Sequence, residues 1–489
     1  MHRGHREKLC EQLRRRPEFS AGEGLVVFLA GGKERPIYDT DVEWEFRQES
    51  NFQYLFGVKE PGCLAFLRVS DARSVLLVPR LAQIYETWMG PIKPPAWFQR
   101  AYTLDEVGYL EDAVSMLKDL GAKTLLTYKG TNRDSGLELE TPTFDGIDNF
   151  AVSDAGSRSL WDVLGECRLT KSPEEIKVLQ YVNDVSSSAH IAVMRAIKAG
   201  QREYLSEATF RYQASIRACH RTGYNCICPA GPRNAILHYG HPAEPNAELV
   251  EQGSLTLHDM GAAYHCYTAD VTVTFPVSGT FTEEQQLVYD AVWAATLAVE
   301  KAVRPGVCYK DMHRLAQRTL LSEMKAAGLF TGEVDEMMQA EVMGRFMPHG
   351  LGHCLGLDVH DVAGYAPGTS RADDPSMKEN LRCGRDLVEN MVITVEPGFY
   401  FIDYLLRELA ANADQARFVD FKRLEELKPV GGVRIEDDVV ITATGCRVLT
   451  CVPRTVEEIE AVMAGQEWTI GLATCREYTA PETAARSKC

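Results

Sequence analysis

A chain of 489 residues is longer than one hydrophobic core organises, so at least two domains are expected. Its 52 lysines and arginines against 69 aspartates and glutamates leave a net charge of −17, which argues against a nucleic-acid backbone as partner, because such binding rests on clustered cations. No apolar run reaches the roughly 18 residues of a bilayer span, so no membrane is expected either, and the surplus carboxylates read as a solubilising surface.

Residues 1–16 are basic, with Leu9 and Leu13 set among charges as on a short amphipathic helix. The stretch lacks the apolar core of a secretory signal, and Glu7 and Glu11 count against a transit peptide. The 14 scattered cysteines form no Cys-x-x-Cys pair, so buried free thiols and a cytoplasmic location are expected. Strand-like runs at Leu25–Ala30, Ser74–Val78 and 124–127 alternate with a helical run over 104–120, which predicts an α/β domain over residues 1–165.

Thr170-Lys-Ser-Pro-Glu-Glu-Ile176 reads as the opening of a second domain, 166–465. Ser172 is an N-cap, Pro173 suits the first helical position, and Glu175 completes a capping box. Ile176, Leu179, Val182, Ile191, Met194 and Ile197 continue a helical stripe that Gly200 stops. Further on, 254–259 and 270–275 alternate with period two and read as a hairpin. A helix is expected over 282–303, ended by Pro305-Gly306, and strands over 391–396 and 432–441. These elements suggest two similar α+β halves facing each other. Residues 466–489 read as a loose tail, and its Ser487-Lys488-Cys489 as a chance near-match to the peroxisomal Ser-Lys-Leu.

Four acids are set into this β-rich region. Asp259 and Asp270 lie on the two strands of the expected hairpin, and placed opposite each other they project from one face. Two like charges side by side are costly in a half-buried sheet unless a cation lies between them. Glu396 and Glu436 repeat the problem, each ending or interrupting an apolar run. Any one alone reads as a strand-end acid; together they read as a metal site. His349-Gly-Leu-Gly-His353 adds imidazoles, and His360 follows closely. Four carboxylates and one imidazole form a mostly oxygen donor set, which suits Mn(II) ahead of Co, Fe or Zn.

These motifs resemble the pita-bread metallopeptidases, the family of methionine aminopeptidase, aminopeptidase P and prolidase. The resemblance is strongest to the Xaa-Pro dipeptidase (prolidase) branch and runs over nearly the whole chain. Phe46-Arg-Gln-Glu-Ser50, Glu60-Pro-Gly62, Thr87-Trp-Met-Gly90 and Asp134-Ser-Gly136 carry it in the first domain. Leu237-His-Tyr-Gly-His241, residues 346–353, Thr394-Val-Glu-Pro-Gly398, Gly432-Val-Arg-Ile-Glu-Asp437 and Cys451-Val-Pro-Arg-Thr-Val-Glu457 carry it in the second.

The resemblance implies an α/β N-terminal domain followed by an α+β pita-bread catalytic domain. It further implies a two-metal dipeptidase acting on dipeptides with C-terminal proline, with a metal-bridging hydroxide as nucleophile. Asp259 would bind one ion, His353 and Glu396 the other, and Asp270 and Glu436 would bridge them. Glu396 would also shuttle the proton. His238 and His360 would hydrogen-bond the substrate and the tetrahedral intermediate. His349 would be a further catalytic residue, and Arg434 either a substrate-binding group or a partner for a ligand carboxylate. Arg382 would meet the substrate carboxylate, with Arg385 as the alternative. A homodimer is implied too, Trp88 contributing to a loop that closes over the partner's site. The competing readings are an aminopeptidase P that takes longer peptides, and a pita-bread fold kept as a non-catalytic binding module. Three departures from the family pattern are expected to remove no ligand, one of them Pro232-Arg233 ahead of Asn234, which puts an unusual cation near the site mouth. His258 should point away from Asp259 along its strand, and Asn390 should adopt the left-handed turn ahead of the Glu396 strand.

Overall fold

The computed structural model describes every residue except 20–22, 133, 241–245, 368, 370–380, 472–474 and 481–489. His241 and the terminal Ser-Lys-Cys therefore lie outside the described residues. The chain divides into two compact units, Met1–Arg168 and Leu169–Cys489. Among the described residues, no helix is long and apolar enough to cross a membrane, and the cysteines other than Cys308 are free thiols.

The first unit is built on a six-stranded mixed sheet. Its strands are β1 (Leu25–Ala30), β2 (Leu64–Arg68), β3 (Ser74–Val78), β4 (Glu106–Tyr109), β5 (Thr124–Leu126) and β6 (Ala151–Val152), in the order β4-β3-β2-β1-β5-β6. Val26, Phe28, Phe66, Val75, Leu77, Leu117 and Leu125 pack its core. The helical run expected over 104–120 is shorter than its pattern. Val107 and Tyr109 suit an extended chain, and 106–109 pairs in parallel with β3. The Asp112 carboxylate then accepts the Tyr109 N–H at 2.9 Å, and the helix proper spans Ala113–Asp119.

In the second unit the helix Pro173–Ala196 starts as its cap demands. The Ser172 hydroxyl accepts the Glu175 N–H at 3.2 Å, and the Glu175 carboxylate accepts the Ser172 N–H at 2.8 Å. Ser172→Ala is expected to cost about 1 kcal/mol. A lowered urea midpoint would register this, and an unchanged one would show that the cap contributes nothing. Thr282 caps the helix Glu283–Ala302 in the same way.

The strands that matter for the site come in two antiparallel pairs with one plan. After β7 (Arg221–Thr222), β8 (Leu255–Asp259) pairs with β11 (Thr272–Pro276), while β9 (Ala262–Tyr264) and β10 (Tyr267–Thr268) form a separate hairpin between them. The expected simple hairpin is thus corrected: Asp259 faces Thr272, and Asp270 lies two residues ahead of its strand. Asp270 and Thr272 still share a face by alternation. Downstream, β12 (Val392–Val395) pairs with β15 (Asp437–Ile441), so Glu396 follows one strand and Glu436 precedes the other. The run expected over 432–441 breaks at Glu436 because β14 (Gly432–Arg434) pairs instead with β13 (Gly398–Tyr400). Asn390, at φ 66°, makes the left-handed turn ahead of β12.

The tail is not wholly loose. β17 (Glu477–Thr479) pairs with β16 (Gly445–Val448), itself beside β15. Arg476 anchors it, with Nη2 donating to Asp437 at 2.6 Å and to Glu300 at 3.1 Å, a long-range ion pairing that local pattern does not display.

Candidate metal centre

Asp259, at the end of β8, exchanges backbone hydrogen bonds with Ile227, which pins the preceding loop against the strand. That loop brings Tyr224, whose hydroxyl donates to Asp259 Oδ1 at 2.5 Å. Arg434 Nη2 donates to Asp259 Oδ2 at 2.6 Å. The Asp270 N–H is held by Asp438 Oδ2 at 3.0 Å. Glu436 Oε2 accepts from the Thr272 hydroxyl at 2.7 Å, and the Glu396 N–H donates to the Leu351 carbonyl at 2.9 Å. The His353 N–H donates to the Thr394 hydroxyl at 3.1 Å, which ties the glycine-rich segment to β12.

The donor set converges. His353 Nδ1 lies 3.0 Å from the Cys354 carbonyl, a contact that requires the proton on Nδ1 and directs Nε2 into the cluster, where it is a ligand atom when the ring is neutral. Nε2 then faces Asp270 Oδ2 at 3.3 Å and Glu396 Oε1 at 3.5 Å. Asp270, His353 and Glu436 each offer a ligand atom within 4.8 Å of the others, and Asp270 Oδ1 is buried without a hydrogen-bond partner. Burial, then the Asp259 and Glu396 charges, push the Asp270 carboxyl well above its ordinary range. Glu436 is raised by burial and by Asp270, and Glu396 goes up to about 8 through burial and Glu436. Acceptors crowded this way in a dry site call for a cation, and oxygen-rich ligands with one imidazole fit a divalent metal.

One cavity of about 370 Å³ holds this cluster. All five candidate ligands line it, as do His238, His349, His360, Arg382 and Arg434. His238 and His360 are exposed to it, the His360 ring centred 4.6 Å from that of His353. Arg385 does not line it and donates from Nη1 to the Ala363 carbonyl at 2.9 Å. Trp88 belongs to the other unit, where it is 80% exposed rather than packed in a core.

Two residues sit differently from the simplest expectation. The ring nitrogens of His349 are taken up by the Gly350 carbonyl at 2.8 Å and the Tyr400 hydroxyl at 2.9 Å, and burial lowers its pKa to about 3. Arg434 gives Nε to Thr272, Nη1 to Tyr400 and Nη2 to Asp259. Both therefore contact protein groups, Arg434 among them the carboxylate of the candidate ligand Asp259. His258 is buried against Phe275, ring centres 5.2 Å apart, and burial drops its pKa to about 3.

Sequence reasoning missed Tyr224, Tyr400, Thr272 and Thr394. For the two threonines a signal existed: each lies two residues from a candidate ligand, Asp270 or Glu396, and so on the same strand face. Tyr224 comes from a loop 35 residues ahead of Asp259, and Tyr400 ends β13 and reaches Arg434 through a strand pairing that no local pattern displays.

Residues 177–443 match the model of metallopeptidase family M24, and residues 2–126 that of the aminopeptidase P N-terminal domain. The chain is 46% identical over 462 residues to the Xaa-Pro dipeptidase of Homo sapiens, an alignment covering 94% of this chain and 92% of that one. It is 32% identical over 465 residues to a probable Xaa-Pro aminopeptidase of Talaromyces marneffei, covering 95% and 97%. Pseudomonas aeruginosa aminopeptidase PepP has a similar structure, with TM-score 0.75 at 30% identity, covering 95% and 97%. With the buried acid and imidazole cluster between its paired strands, the chain belongs to metallopeptidase family M24, a pita-bread domain following an aminopeptidase P-type N-terminal domain.

Proposed function

We propose that the chain is a metal-dependent dipeptidase hydrolysing Xaa-Pro dipeptides, with two divalent ions held by Asp259, Asp270, His353, Glu396 and Glu436. The observation that carries this reading is the convergence of three buried carboxylates, the half-buried Glu396 and the His353 imidazole in a cavity that Arg382 also lines. The 46% identity to an Xaa-Pro dipeptidase supports the substrate class. The oxygen-rich donor set favours Mn(II), and bound ions would polarise the peptide carbonyl and make water a nucleophile near neutral pH.

The chain's own groups do the rest. Glu396 takes the proton of the attacking water and passes it to the departing proline nitrogen. His238 and His360 donate to the carbonyl oxygen as it gains charge, which favours the transition state over the substrate. Arg382 binds the terminal carboxylate. Tyr224 and Arg434 fix Asp259, and His349 acts through Tyr400 on Arg434. The decisive assay is turnover of Gly-Pro against Gly-Pro-Gly with Mn(II) supplied. Cleavage confined to the dipeptide is expected. Preferred cleavage of the tripeptide would transfer the assignment to the aminopeptidase P reading, which the Talaromyces relative favours. No cleavage of either would leave a binding module.

A homodimer in a reducing, cytoplasmic setting completes the proposal. Its support is an exposed apolar run around Trp88: Ile84, Tyr85 and Met89 are exposed as well, and such a patch marks an interaction surface. Trp88→Ala should shift the light-scattering mass toward the monomer and raise KM while the melting curve stays put. A fully active monomeric parent would remove this role.

A further inference from the structure

Behind the site lies an ion pair that catalysis as described does not use. Lys171 Nζ and Asp361 Oδ2 are 3.2 Å apart, and each side chain is only 1% exposed. Lys171 Nζ also donates to the Leu169 carbonyl at 3.3 Å. Burying two charges costs several kcal/mol in desolvation, and a well-packed apolar pair of similar volume is often as stable or more so. Stability is thus a poor reason for this pair, and its position suggests another.

Asp361 directly follows His360, and residues 355–367 form neither helix nor strand, so no regular ladder fixes the histidine. The next residue, by contrast, is anchored on two sides. The Asp361 N–H donates to the Cys354 carbonyl at 2.9 Å, beside His353, and its carboxylate is held by Lys171. Lys171 in turn is strapped to the strand that leads to Glu396: its N–H donates to the Asn390 carbonyl at 2.9 Å, and Thr170 bridges Met391. Room for the pair is made by Gly356, where a Cβ would come 2.3 Å from Asp361 Oδ2 and 3.1 Å from Lys171 Cε. The loop then runs on to Gly364, where a Cβ would meet the Arg382 carbonyl at 2.2 Å. Neither Lys171 nor Asp361 lines the cavity, so neither can touch substrate there.

We propose that the buried Lys171–Asp361 ion pair is a positioning clamp for the reaction, holding the His360 imidazole against the metal-binding cluster. The proposal rests on the reading above that His360 donates to the substrate. In Mn(II)-loaded full-length protein, Asp361→Asn keeps the shape and removes the charge. It should lower kcat for Gly-Pro about tenfold, short of the ~10²-fold that a 1 Å misplacement can cost, with metal content unchanged. In a His360→Ala background the same substitution should cost less than about twofold, since the group it positions is gone. Equal losses in the two backgrounds would overturn the clamp, because a merely structural role does not depend on His360.

Lys171→Met/Asp361→Leu guards against misfolding. It should melt no lower than the parent yet lose kcat to the same extent, and full activity would overturn the proposal. A readout free of turnover keeps the two readings apart. The His360 ring NMR signals should be single and sharp in the parent and broadened or split in Asp361→Asn. Unchanged signals would overturn the clamp even if the parent cleaves Gly-Pro. Signals that respond in a parent unable to cleave it would retire the dipeptidase reading instead.

Discussion

Asp270→Asn and Glu436→Gln are each expected to abolish turnover and to lower metal binding at both positions, not at one. Asp270 and Glu436 offer ligand atoms within 4.8 Å of each other and of His353, and in the proposed two-ion site both would bridge the ions. An amide keeps the shape but gives up the charge that offsets the cations. The loss should exceed the roughly 100-fold upper end for removing an outer partner of a metal ligand. Thr272→Val, which deletes the hydroxyl donated to Glu436 Oε2, supplies that comparison at about 10- to 100-fold. Metal content and Gly-Pro turnover should be measured after chelation and Mn(II) reloading: the parent recovers, the two variants do not. The fold should survive. Without metal, like charges and burial raise both carboxyls well above their ordinary range, so removing one charge relieves the cluster. The metal-free variants should therefore melt no lower than the metal-free parent. Near-normal activity with two ions bound would sink the ligand assignment.

The four candidate carboxylates stood out because carboxylates set among apolar strand residues are costly to bury unless a cation offsets them, whereas His353 was singled out among its neighbouring histidines by the family resemblance. What stayed hidden was how their strands pair. Alternation at 254–259 and 270–275 announces two strands but says nothing about the β9–β10 hairpin folded out between them. The 432–441 run looks continuous because burial is continuous across it, whereas β14 and β15 take different partners on either side of Glu436. Local chemistry read most reliably. Ser172 and Asn390 do what their side chains and backbone preferences require, since caps and turns are decided within a few residues. The Tyr224–Asp259–Arg434–Tyr400–His349 chain is the opposite case. It joins five segments by hydrogen bonds, and no periodicity encodes a contact between residues 35 or 175 positions apart.

Arg382→Ala is expected to raise KM for Gly-Pro by tenfold or more while sparing the metals. A dipeptide ends in a carboxylate immediately after proline, and a planar guanidinium can meet it with two parallel hydrogen bonds. Arg382 lines the cavity that holds the acid cluster, while Arg385 spends Nη1 on the Ala363 carbonyl and does not reach that wall. Geometry thus favours the first of the two arginines that spacing left open. Losing a charge-assisted pair costs on the order of 1.5–3 kcal/mol. At about 1.4 kcal/mol per decade, that is roughly tenfold to over a hundredfold in binding. The effect belongs in KM, since the clamp grips ground state and transition state alike. Gly-prolinamide lacks the carboxylate, so Arg382→Ala should change its turnover little and flatten the preference for acid over amide. Arg385→Ala should leave that preference intact. Equal losses on acid and amide would show that Arg382 does not hold the carboxylate, and restriction to dipeptides would then need another cause, reopening the case for an aminopeptidase that admits longer chains.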